Sequence, residues 1–261
     1  MDFQFILSLV AAVFIGGIAG YLGSLMITKR MALVGGALGH LALPGVALAL
    51  VYNFSVFLGA LLSIMIGAVV IWYLKVLTRL SMETLTGVVF ATGVAGGFLI
   101  LPISDAERVL IGDITRINLV DSLLAVILGI IIFVVIKRIY SGIVLSEISR
   151  DLAQSEGVNV AKYNFIYLVA IALAVSLEVK IVGILLTAAL LVIPAAASRN
   201  FSGKLKQYSF IALTIGVISA ILGILFFKIF NLPAGPLIIL AGFFVFLISL
   251  LKKLYYDKKT V

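Results

Sequence analysis

"LLAVILGIIIFVVI", residues 123–136, contains no polar side chain and shows no alternation. A strand of a membrane β-barrel alternates apolar and polar positions over about ten residues. A stretch that is apolar at every position instead satisfies its backbone within itself, as a helix does in lipid. Comparable runs, each near the roughly 20 residues of a spanning helix, recur at about 4–28, 32–52, 56–75, 84–101, 119–136, 164–178, 180–197, 209–227 and 236–251. The expected fold class is therefore all-α, a polytopic integral membrane bundle of eight or nine transmembrane helices in a single domain over residues 1–261.

Composition agrees. The chain is 64% hydrophobic and 11% charged, with a mean hydropathy of +1.32, whereas a soluble domain is about 25% charged. A water-soluble globule is excluded. The first residues, "MDFQFILSLV", lack a positive leader region and read as a retained first helix. The absence of cysteine excludes disulfides, thiolate metal sites and thiol nucleophiles. The longest polar connection, about 137–162, leaves no room for a soluble catalytic domain. The nearest match to a phosphate-binding loop, "SGKL" at 202–205, fails on both sides of its lysine. No catalytic residue and no resident cofactor are assigned, so the driving energy has to come from an ion gradient or from a partner that binds ATP.

The basic residues are unevenly distributed. Fifteen of the nineteen Lys and Arg, from Lys29 and Arg30 to Lys258 and Lys259, fall on one side of the predicted spans. Arg108, Arg116, Lys180 and Lys228 fall on the other. The positive-inside rule then predicts a cytoplasmic C-terminus and an N-terminus outside. The net charge of +8 is a membrane-orientation signature facing anionic lipid and calls for no nucleic acid.

An ionisable group inside a span is costly and faces a protein interior or a watery cavity. His40, the sole histidine, sits in "MALVGGALGHLALPGVALAL", residues 31–50. Gly36 and Gly39 precede it, and Pro44 four residues later removes an amide and crowds the His40 carbonyl. Two readings stand: a core histidine bonded to a neighbouring helix, or the wall of a permeation path beside a weakened, closely packed helix. Glu83 opens the fourth span and reads as a cap. Glu178 and Lys180 are expected where the chain turns outside the membrane, as a solvated or mutually paired rim or as a carboxylate at the outer mouth of a cation path. Residues 101–122 read as a short interfacial helix or a docking surface. Two stretches on the basic side, 145–164 and 192–209, read as partner surfaces, the second breaking a span at Pro194.

Five stretches also occur together in order: "KRMALVGGALGHLALPGVALAL" (29–50), "METLTGVVFATGVAGGFLI" (82–100), "DLAQSEGVNVAKYNFIYL" (151–168), "VGILLTAALLVIPAAASR" (182–199) and "LPAGPLIIL" (232–240). In combination they resemble the membrane permease subunit of bacterial zinc, manganese and iron ABC importers, the ABC-3 family, over about Lys29 to Lys253. The resemblance implies a fold similar to the cobalamin and siderophore importers and a location in the bacterial inner membrane. It implies a homodimer with the metal path along its axis, two cytoplasmic ATPase subunits that bind ATP, and an external metal-binding protein. It also implies a coupling segment at about 195–208, carried by Ala195, Ser198, Arg199, Lys204 and Lys206. Many members place Asp four residues before the histidine, where this chain has Gly36. Losing that oxygen ligand tilts the expectation towards zinc and away from manganese or iron. A carrier driven by an ion gradient is the rival reading.

Overall fold

The computed structural model describes residues 3–257, which form twelve α-helices and one 3-10 turn with no strand among them. Six helices are long and apolar enough to cross a membrane: α1 (Phe3–Thr28), α4 (Val56–Leu77), α7 (Leu119–Ile148), α9 (Val160–Val182), α11 (Leu205–Phe230) and α12 (Ala234–Asp257). Three shorter apolar segments complete the bundle: α2 with α3 (Ala32–Leu41 and Leu43–Val51), α5 (Met82–Ile100) and α10 (Thr187–Arg199). Each of the nine predicted runs thus has a helical counterpart.

The first helix is the centre of the bundle, packed on α7, α10 and α11. Its glycines decide how closely. A Cβ on Gly16 would lie 2.7 Å from the Gly216 carbonyl oxygen, so the backbones of α1 and α11 touch. In lipid, where apolar surface gains nothing by leaving the solvent, such close approach is what holds helices together.

Three boundaries differ from the sequence expectation. The fifth run does not end at Lys137, because α7 continues to Ile148 with Ile139, Tyr140, Ile143 and Val144 buried. A charged pair does not stop a helix whose apolar stripe persists beyond it. Pro194 does not break its span either, for α10 runs through it to Arg199. Lastly, no turn occurs at Glu178–Lys180. The helix α9 passes through both, and the chain reverses at Gly183, whose φ of +84° favours a residue without Cβ.

That reversal is locked from outside. The helix α6 (Ile103–Ile111) ends at Gly112, φ +85°, and a Cβ on Gly183 would lie 2.3 Å from the Leu110 carbonyl oxygen. The Ile184 and Leu185 amides donate to the Val109 and Leu110 carbonyls at 3.1 and 3.2 Å. The 101–122 segment is therefore helical, as expected, with Ile103 95% exposed on one side and Val109 buried on the other. Asn118 and Asp121 cap α7 reciprocally. Ser81 caps α5 by accepting from the Thr84 amide. The side chains of Glu83 and Arg116, and residues 258–261, lie outside the described residues.

Candidate functional site

His40 stands on the last turn of α2, one residue before the interruption at Ala42. Pro44 opens α3, and Ala42 donates to the Gly39 carbonyl at 3.2 Å, a tightened turn in place of the regular ladder. The break predicted from Pro44 is present. The imidazole Nδ1 is 2.9 Å from the Gly36 carbonyl oxygen. A carbonyl only accepts, so Nδ1 carries the proton and Nε2 keeps its lone pair. No described residue bonds Nε2, and it is not among the buried atoms that lack a partner. The ring meets Phe90 of α5 edge to face, centroids 5.0 Å apart.

The glycines near His40 admit α10. A Cβ on Gly39 would lie 2.0 Å from Thr187 Oγ1, and one on Gly36 would meet Ala188 Cβ at 3.2 Å. Gly36 thus orients the imidazole through its carbonyl while leaving α10 room.

Thr86 was not singled out in the sequence. Its hydroxyl is buried without a partner, and at four residues before Phe90 it shares that residue's face of α5. The available signal was that spacing, legible only once Phe90 is known to face His40.

Glu178 is placed elsewhere, and its expected role is corrected. It is 0% exposed, one turn inside α9, and neither carboxylate oxygen has a hydrogen-bond partner. It is neither a solvated rim nor a mouth open to water. Nor does it pair with Lys180, which binds Asp121 of α7. Among the described residues no three His, Asp or Glu converge to hold a metal ion, so His40 and Glu178 do not build one site.

At the opposite, basic end of the bundle, the predicted coupling residues divide. Ala195 and Ser198 are buried, Ser198 Oγ donating to the Tyr208 carbonyl at 2.6 Å. They pack the α10–α11 corner. Arg199, Lys204 and Lys206 are exposed. No separate short helix forms between Arg199 and Leu205. One does form in the other predicted partner surface: α8 (Arg150–Ser155), capped by Ser149 and ended at Gly157 with φ +77°. Its Arg150, Asp151, Leu152, Gln154 and Ser155 are exposed and only Ala153 is buried.

Comparison with known proteins agrees with this geometry. A model of the ABC 3 transport family matches residues 2–253. The chain is 32% identical over 251 residues to the high-affinity zinc uptake system membrane protein ZnuB of Buchnera aphidicola, covering 94% of this chain and 96% of that one. It is 28% identical over 253 residues to the manganese import system permease protein ScaB of Streptococcus gordonii, covering 95% and 91%. Among solved structures it superposes on PsaBC from Streptococcus pneumoniae in complex with Fab, with a TM-score of 0.86, 27% identity and coverage of 95% and 91%.

Proposed function

This chain belongs to the ABC 3 transport family, and from that premise we propose that it carries a divalent transition-metal ion into the cell, zinc ahead of manganese or iron. Relatives named for zinc and for manganese are similarly close, so the preference rests on the site. The observation that carries it is the His40 imidazole, held by Gly36 through Nδ1 with Nε2 uncommitted. Fixing the second nitrogen orients a histidine ligand. A single nitrogen without a carboxylate beside it suits zinc better than the harder ions. Glu178, enclosed in α9, is given no contact with the cargo in this conformation.

The path is proposed to run between two copies of the chain. An open apolar groove of about 690 Å³ lies along α3, α4 and α5, lined by Pro44, Gly93 and Gly96 among others. A Cβ on Gly87 or Gly96 of α5 would meet nothing within 4 Å. A second copy seated there would bring two equivalent α5 helices, each backed by a His40, towards one axis.

ATP is proposed to be bound and hydrolysed by separate ATPase subunits, and an external binding protein to deliver the ion. The exposed α8 is the best-shaped element to enter a groove on an ATPase, with Arg199, Lys204 and Lys206 beside it at the same end. That reverses the order of the two surfaces taken from sequence. The basic end faces the cytoplasm on this account, and the N-terminus faces outside. The gradient-driven alternative would draw on Glu178, but that one enclosed carboxylate sits apart from His40.

The test is uptake in cells whose growth under metal depletion depends on this permease. His40→Ala should lower zinc uptake by about tenfold or more with the membrane level unchanged. Undiminished uptake overturns the assignment.

A further inference from the structure

At the basic end, a cavity of about 440 Å³ opens between the C-terminus of α1 and the α10–α11 corner. Arg30, Arg199 and Lys204 line it together with Thr28, Ser202 and Tyr208. No hydrogen bond or ion pair commits any of the three cations among the described residues, and no acidic residue lines the cavity. Cations gathered without a counter-charge repel one another, so their convergence points to an absent anion.

Two independent features aim donors into the same space. The Tyr208 side chain is 6% exposed, and its buried hydroxyl has no partner. A buried hydroxyl left unpaired is destabilising, and an anion in the cavity would accept its proton. Leu205 begins a helix of 26 residues whose N-cap, Lys204, makes no side-chain capping bond. The first amides of α11 therefore point at the cavity region uncapped, where the helix dipole favours negative charge. Arg30 also holds a left-handed backbone, φ +55°, in the turn after α1. That conformation favours glycine, and here it carries a guanidinium at the rim.

We propose that this cavity binds a phosphate group, presented by the headgroup of an anionic phospholipid. Basic pockets between helices at the cytoplasmic side of a membrane suit such headgroups. The exposed Leu205 at its edge and Phe210 a turn further along α11 give acyl chains an apolar track. Bound phosphate would tie α1 to the start of α11 across the Arg30 and Lys204 side chains. The inference does not depend on the metal cargo or on which element docks the ATPase.

The test uses the full-length permease purified in detergent, delipidated, and titrated with phosphatidylglycerol, phosphatidylcholine or inorganic phosphate, with bound ligand read by native mass spectrometry. Phosphatidylglycerol should bind about one site per chain and phosphatidylcholine more weakly. Arg199→Gln with Lys204→Gln should weaken phosphatidylglycerol binding roughly twentyfold, at roughly fivefold for each cation removed. Tyr208→Phe, which removes only the hydroxyl, should weaken it severalfold with an unaltered melting curve. Lys137→Gln with Arg138→Gln, the same charge change on α7, should leave it nearly unchanged. Equal losses for the two double variants mean diffuse attraction and overturn the site, as does binding by Tyr208→Phe equal to the parent. Variant-sensitive binding of inorganic phosphate without lipid binding overturns the headgroup source. Loss of ATPase association in Arg199→Gln with Lys204→Gln, with phosphatidylglycerol binding intact, assigns the cavity to an acidic protein surface and overturns the proposal.

Discussion

Position 36 and position 40 act as one unit. The imidazole is steered by a backbone carbonyl, so Gly36 contributes through the main chain where many family members contribute a carboxylate. Gly36→Asp should add that carboxylate on the same helix face, at the cost of easing Ala188, whose Cβ would be 3.2 Å away. The expected outcome is a shift of uptake from zinc towards manganese by severalfold, read as the ratio of the two metals taken up in competition. An unchanged ratio would separate selectivity from this pair. Glu178 makes the opposite case. It is buried without a partner, and a group of that kind costs stability unless it is neutral or compensated. Glu178→Gln should keep transport and raise the melting temperature of the solubilised protein, and a loss of uptake would return Glu178 to the path. His40 as an exceptional residue was legible in the sequence because polar groups are rare within spans. The state of its two nitrogens and the isolation of Glu178 were not, since both depend on which helix lies opposite.

The interruption at Ala42 is the element most legible in advance, because a proline inside a helix removes a specific amide and crowds a specific carbonyl. Pro44→Ala should straighten α2 into α3, raise thermal stability, and slow transport by closing the turn on which His40 stands. Faster transport with a straight helix would contradict this role. Pro194 carries the same chemistry and yet does not end α10. Its ring packs where α1 comes closest, Gly20 having space for a Cβ only 3.3 Å from Pro194 Cβ. Packing outweighs the lost hydrogen bond there, which no local pattern reveals. Likewise α7 outlasts its charged pair because its buried stripe continues. For α8, Leu152→Asp should abolish co-purification of the ATPase while Lys206→Gln weakens it less. The reverse order would restore the 195–208 segment as the principal docking element.

Across the whole molecule, the close contact of α1 with α11 sets the integrity of the bundle. Gly16→Val should cost about 1–3 kcal/mol through overpacking against Gly216, seen as a lower melting temperature. The lack of cysteine makes orientation directly measurable. A single cysteine at Gln154 should be labelled only from the cytoplasmic side, and one at Glu107 only from outside. Spans and charge bias were readable from composition because lipid imposes length and apolarity on every crossing. The helix that turns out to protrude, and the cavity beneath the α10–α11 corner, arise from tertiary packing and left no local pattern. The most direct measurement of the central claim is zinc uptake into vesicles holding the permease with its cognate ATPase and binding protein. The account predicts uptake that requires ATP and all three components and falls by about tenfold or more with His40→Ala. Uptake by the permease alone under an ion gradient, or at full rate with His40→Ala, would contradict it.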